Sequence, residues 1–129
     1  MWQERRKSPR LVLNLPVWYK VLGPDEVSKL FGSAYLSAIS LDISPFGMAF
    51  MSSYNLPAFS ELNLKFVVIG VQPTLYPNLS MPIEVSAKVC SCTPYGIDEY
   101  RVGVLFSKIE PQIQQKLASF IRESFPLAI

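Results

Sequence analysis

Apolar side chains recur at every second position through most of this chain. Leu11, Leu13, Leu15 and Val17 share one face of a run from Leu11 to Val21. A period of two marks a strand with one buried face. Pro16 lies inside that run and predicts an edge or a bulge there. Gly23-Pro24-Asp25 breaks the run, and Asp25 to Phe31 fits one helical turn or an irregular insertion ended by Gly32. Ser33 to Leu41 reads as a second strand whose two faces are both apolar or small, and Gly47 to Ser52 as a third. Glu61 to Ile69 alternates cleanly, with Leu62, Leu64, Phe66 and Val68 opposed to Glu61, Asn63, Lys65 and Val67. Gly70 to Pro82 holds Pro73, Pro77 and Pro82 and predicts a long loop. Ile83 to Cys92 is a fifth strand, with Ile83, Val85, Ala87 and Val89 on one face. Thr93 to Asp98 makes a hairpin into a sixth strand, Glu99 to Phe106. The period then changes. From Glu110, with Pro111 in the first turn, Ile113, Leu117, Phe120 and Ile121 fall on one helical stripe. Successive strands and a closing helix predict a mainly β fold, an antiparallel barrel or sandwich with the helix packed against it.

Composition narrows the chemistry. At 129 residues, half of them hydrophobic, the chain suits a single domain with a real core. A net charge of +2 is too small for binding nucleic acid by bulk charge. The charge is uneven, however: Arg5, Arg6, Lys7 and Arg10 crowd into six positions. There is no histidine, so the commonest general base and metal ligand is missing. No paired-acid signature and no phosphate loop of the GxxxxGK[ST] type is present, and the expectation is a protein that is not an enzyme. Cys90 and Cys92 lie two apart. A regular strand would project them from the same face, and they read as free thiols in a reducing compartment. The apolar run after the basic N-terminus is interrupted by Asn14 and Pro16, which argues against a secretory signal. No run approaches the roughly 20 residues a membrane helix needs. A soluble, cytoplasmic protein without membrane insertion is expected.

One short stretch concentrates the polar chemistry between two apolar runs. Asp42-Ile43-Ser44-Pro45-Phe46-Gly47 places an acid, a hydroxyl and a glycine at its positions 1, 3 and 6. Such residues build turns, and by themselves they signal no more than that. Phe46 reads as a packing residue. The second stretch is Arg6-x-x-x-Arg10, just before the first strand, where Pro9 disfavours a helix and predicts an arm over residues 1–10.

Together these stretches resemble the PilZ domain family, the bacterial receptor module for cyclic di-GMP. Arg6-x-x-x-Arg10 matches its RxxxR motif, and Asp42-x-Ser44-x-x-Gly47 matches its [D/N]xSxxG motif. Arg101-Val-Gly-Val-Leu-Phe106 and the helix holding Leu117, Phe120 and Ile121 resemble its last strand and closing helix. The resemblance covers nearly the whole chain and implies a six-stranded antiparallel β-barrel over residues 11–129, with residues 1–10 as a basic clamp. With no second domain alongside, it resembles the single-domain members. The extra residues at 23–32 and the Gly70 to Pro82 loop depart from the family pattern without touching the motifs.

The resemblance implies a ligand, cyclic di-GMP, with no other cofactor. Its binding residues would be Arg5, Arg6, Arg10, Asp42, Ser44 and Gly47. Guanidinium forks suit phosphates and the O6/N7 edge of guanine. Asp42 would accept from the N–H donors of the other edge, Ser44 would donate or hold the turn, and Gly47 would admit a close backbone or adopt a positive φ. The implied output is a change in a downstream protein partner. Two alternatives stand beside it. A PilZ-like adaptor that binds protein and no nucleotide would lack some motif residues, yet all are present. A single-strand nucleic-acid binder would need a basic groove with exposed aromatics, and positive charge away from the arm is sparse.

Overall fold

The computed structural model describes residues 10–69 and 80–124. The strands are β1 (Leu11–Val12), β2 (Pro16–Gly23), β3 (Leu36–Ser44), β4 (Gly47–Ser52), β5 (Glu61–Ile69), β6 (Ser80–Gly96) and β7 (Glu99–Lys108). The helices are α1 (Asp25–Phe31) and α2 (Pro111–Ser124). Every pairing is antiparallel, and the sheet closes on itself in the order β2, β5, β6, β7, β4, β3 and back to β2. β1 pairs with the same edge of β3 as β2 does, so β1 and β2 together form one interrupted strand of a six-stranded barrel. Closure gives each of the six barrel strands a partner on both sides over part of its length.

The first predicted strand is interrupted for a local reason. Pro16 has no N–H to give the ladder. Ser40, fully buried on β3, stitches the gap with its side chain. Its Oγ accepts from the Leu15 N–H at 2.7 Å and donates to the Leu13 carbonyl, while its own N–H reaches the Leu15 carbonyl at 2.8 Å. The alternation survives the break, and Val17, Tyr19 and Val21 are buried.

The barrel interior is filled by the residues the alternation selects. Leu62, Leu64, Phe66 and Val68 from β5 meet Ile83, Val85, Ala87 and Val89 from β6 and Val102 and Val104 from β7. Tyr19 and Phe50 pack at 5.1 Å between ring centroids. Leu117, Phe120 and Ile121 of α2 join the same core, as their helical spacing predicts. α1 is a seven-residue helix beside β2, ended by Gly32, whose N–H closes the last turn on the Ser28 carbonyl at 3.0 Å and whose φ of 72° turns the following chain out of the helix. The β6–β7 hairpin is tighter than expected, with both strands running on to a two-residue turn at Ile97-Asp98. The predicted Gly70 to Pro82 loop lies outside the described residues as far as 79, and Pro82 is already in β6 opposite Val67. Among the described residues no helix is long and apolar enough to cross a membrane.

Candidate functional site

Two β-bulges build the site. In β3, Ser40 is opposite Phe50 but Asp42 is opposite Ala49, so Leu41 and Asp42 together face one residue of β4. Regular alternation would send Ala38, Ser40 and Asp42 all inward. The extra residue reverses the phase: Ile43 takes the core position and Asp42 turns to the outer surface. A second bulge lies in β6, where Val89 faces Val104 and Ser91 faces Gly103, with Cys90 extra. This corrects the expectation that Cys90 and Cys92 share a face. Cys90 is exposed, whereas Cys92 packs against the core and its sulfur accepts the Leu56 N–H at 3.3 Å. Both thiols are free.

The bulges align one outer row across four strands: Asp42, Ala49, Gly103 and Ser91. The neighbouring rows hold Met51 and Arg101 on one side, and Ser44, Gly47 and Leu105 on the other. Small side chains thus form the floor of a cleft of about 470 Å³, lined by Arg10, Ser44, Gly47, Ser91, Arg101 and Leu105 among others. Phe46 and Leu105 stand half exposed near its edge. Phe46 is therefore not the packing residue that the sequence suggests. Its carbonyl accepts the Phe106 N–H at 2.8 Å and its ring is left outside the core.

Asp42 is the acid beside the cleft, in contact with its lining residues Arg10 and Arg101, and its side chain is only 15% exposed. Arg101 Nη2 donates to Oδ2 at 3.0 Å. Arg10 Nη1 lies 3.6 Å from Oδ1, close enough for charge attraction but too far for a hydrogen bond. Oδ1 is the buried side-chain oxygen, among the described residues, that accepts no hydrogen bond. A buried acceptor without a donor is costly and calls for an explanation.

Ser44 holds the turn. Its Oγ accepts from the Phe46 N–H at 3.2 Å and donates to the Gly47 carbonyl at 3.4 Å. α2 supports the same turn, since Gln114 Nε2 donates to the Pro45 carbonyl at 3.1 Å. Gly47 has no positive φ. It is required by close approach instead: a Cβ there would stand 2.2 Å from the Val104 carbonyl oxygen.

Of the six residues expected to bind, the structure brings Arg10, Asp42, Ser44 and Gly47 together. Arg5 and Arg6, with most of the expected arm, lie outside the described residues. Arg101 was missing from the expected set. Alternation within Arg101-Val-Gly-Val-Leu-Phe106 places Arg101, Gly103 and Leu105 on the face opposite Val102 and Val104, so its outward position was legible. Its partnership with Asp42, 59 residues away, was not. No group of three potential metal ligands converges among the described residues.

A family model described as the PilZ domain matches residues 4–123. Among solved structures, the inhibitor of motility MotI/DgrA from Bacillus subtilis superposes with a TM-score of 0.71 at 21% identity, over 95% of this chain and 52% of that one. The chain thus spans about half the length of MotI. The PilZ domain of YcgR from Escherichia coli, solved with c-di-GMP, superposes with a TM-score of 0.62 at 14% identity, over 96% and 97% of the two chains. The PilZ domain of CeSA from a cellulose-synthesizing bacterium gives 0.56 at 14% identity, over 95% and 100%. No curated protein matches the chain.

Proposed function

This chain belongs to the PilZ domain family, and on that premise we propose that it is a cyclic di-GMP receptor that passes second-messenger level to a partner protein. The observation that carries the reading is Asp42 Oδ1, a buried acceptor without a donor, held beside Arg10 and Arg101, which both line the cleft. Guanine supplies N–H donors to such an oxygen, and reaches it as the Arg10 side chain, 3.6 Å away, turns aside to a phosphate. The ligand's phosphates suit the arginine forks, Arg10 from the described chain and Arg5 and Arg6 from the sequence preceding it. The small residues Gly103 and Ser91 line the cleft and leave room for flat bases to approach the sheet. Ser44 and Gly47 act through the turn, by fixing the level at which the β3–β4 connection meets the cleft. The domain regulates and does not catalyse, and its setting is the cytoplasm.

The PilZ domain of YcgR holds c-di-GMP in its solved structure, which supports the same ligand class here. Calorimetric titration of the full chain with cyclic di-GMP tests the reading. Binding at micromolar Kd or tighter is expected, about −8 kcal/mol, and Arg10→Ala and Asp42→Ala should each weaken it by about tenfold or more. Absence of heat and of any thermal shift at saturating ligand would instead favour a protein-binding adaptor that takes no nucleotide.

A further inference from the structure

We infer that Arg101 is the positioning residue that gives this cleft its preference for guanine, and that it acts through Asp42. The inference rests on the cyclic di-GMP reading above. Arg101 projects from β7 opposite Met51, one outward position away from Gly103. Asp42 and Gly103 flank Ala49 in the adjacent row, so the Arg101–Asp42 bond spans the width of β4. Ala49 lies between the core residues Met48 and Phe50, on the outer side, and yet is fully buried beside this bridge.

The bond makes the two carboxylate oxygens unequal. Oδ2 accepts from Arg101 at 3.0 Å, whereas Oδ1 accepts nothing and has only the Arg10 charge at 3.6 Å. A charge-assisted bond at one oxygen fixes rotation of the carboxylate about its last side-chain bond and sets the direction in which the other oxygen looks. The Watson–Crick edge of guanine presents the N1–H and N2–H donors together. Removing the 2-amino group leaves one donor, and adenine opposes a lone pair to the oxygen. A fixed acceptor discriminates among these edges; a swivelling one does so poorly, because it has no geometry to enforce. Phosphate contacts are common to all such ligands and cannot supply this preference.

Arg101 is dispensable for barrel closure. Six register pairs join β4 to β7 independently of its side chain, from Gly47 opposite Leu105 to Ser52 opposite Tyr100. Arg101→Met keeps the stem and removes the fork.

The experiment titrates the full chain as wild type, Arg101→Met and Arg101→Lys with cyclic di-GMP and with cyclic di-IMP, the analogue lacking both 2-amino groups. Thermal unfolding of each ligand-free protein is followed in parallel. Wild type is expected to favour the guanine ligand. Arg101→Met should lower that preference by about tenfold, the scale of one charge-assisted hydrogen bond, and Arg101→Lys should retain more of it than Arg101→Met. An equal loss for both ligands in Arg101→Met would overturn the inference, since it would mark Arg101 as a phosphate contact. Unchanged affinity for both would overturn it as well. Failure of wild type to bind either ligand would instead overturn the receptor reading on which it rests.

Discussion

Tyr19 shows what a single buried hydroxyl demands. The ring is fully buried against Phe50, and its hydroxyl is 2.9 Å from Ser52 Oγ, which also accepts the Tyr54 N–H. Burial pushes the phenol above its ordinary value; the Ser52 bond opposes this, and Tyr54 and Cys92 add to it. The folded state therefore disfavours the phenolate while the unfolded chain accepts it. Stability is complete below the unfolded value of about 10 and is lost as pH rises beyond it, by at most about 1.4 kcal/mol per pH unit. Urea unfolding at pH 9 and pH 11 checks this. Wild type should lose more stability over that interval than Tyr19→Phe, which itself costs about 1 kcal/mol at neutral pH through the lost hydrogen bond. Parallel losses in the two proteins would show that Tyr19 titrates normally.

At the scale of the strand, the neighbours of β7 approach closely enough that two glycines matter, for different reasons. A Cβ at Gly47 meets the Val104 carbonyl oxygen at 2.2 Å, and the backbone has no rotamer to offer. A Cβ at Gly103 meets Ser91 Oγ at 2.6 Å, and that hydroxyl can rotate away. Gly47→Ala should therefore destabilise the protein by about 1–3 kcal/mol, and Gly103→Ala by clearly less, as read by chemical unfolding. Equal costs would mean that β4 shifts freely along β7. Strands were legible where burial follows alternation, as in Leu62 to Val68 and Ile83 to Val89. The bulges were not. Both faces of β3 are small or apolar, with Ala38, Ile39, Ser40 and Leu41 in succession, so no change of polarity marks where its phase reverses. The motif was legible as a turn, yet only Pro45 and Phe46 turn; Asp42 and Ser44 are strand residues. Arg101 was missed as a site residue because its partner is set by closure of the barrel, which local spacing does not encode.

Over the whole molecule, the helix is both core and support. α2 buries Leu117 and Ile121 completely while Gln114 on the same helix holds the turn beside the cleft. Leu117→Ala should cost about 2–5 kcal/mol, a large fraction of the roughly 5–15 kcal/mol available to a domain of this kind. Ile113→Ala, at a half-buried position of the same stripe, should cost less. Urea midpoints of the two variants decide this, and a larger loss at Ile113 would mean that the helix rests on its first turn. The closing helix was readable from its period; its contact with the turn depends on which end of the barrel it meets.

The bulge in β3 works as a shift of reading frame. Upstream of Leu41 the strand is read with even positions inward, and beyond it Ile43 takes the inward place. Ironing the strand flat with every residue kept would aim the charge of Asp42 at the core. Deleting Leu41 would not: Ser40, Asp42 and Ile43 would then alternate regularly, with the acid still outside. The number of residues between the arginine and the acid is therefore elastic by one at this point, because the wall is indifferent to length and strict about parity. A chain one residue shorter here would keep the same acid on the same side of the barrel. A chain of equal length that lost the bulge would spell the motif without forming the site.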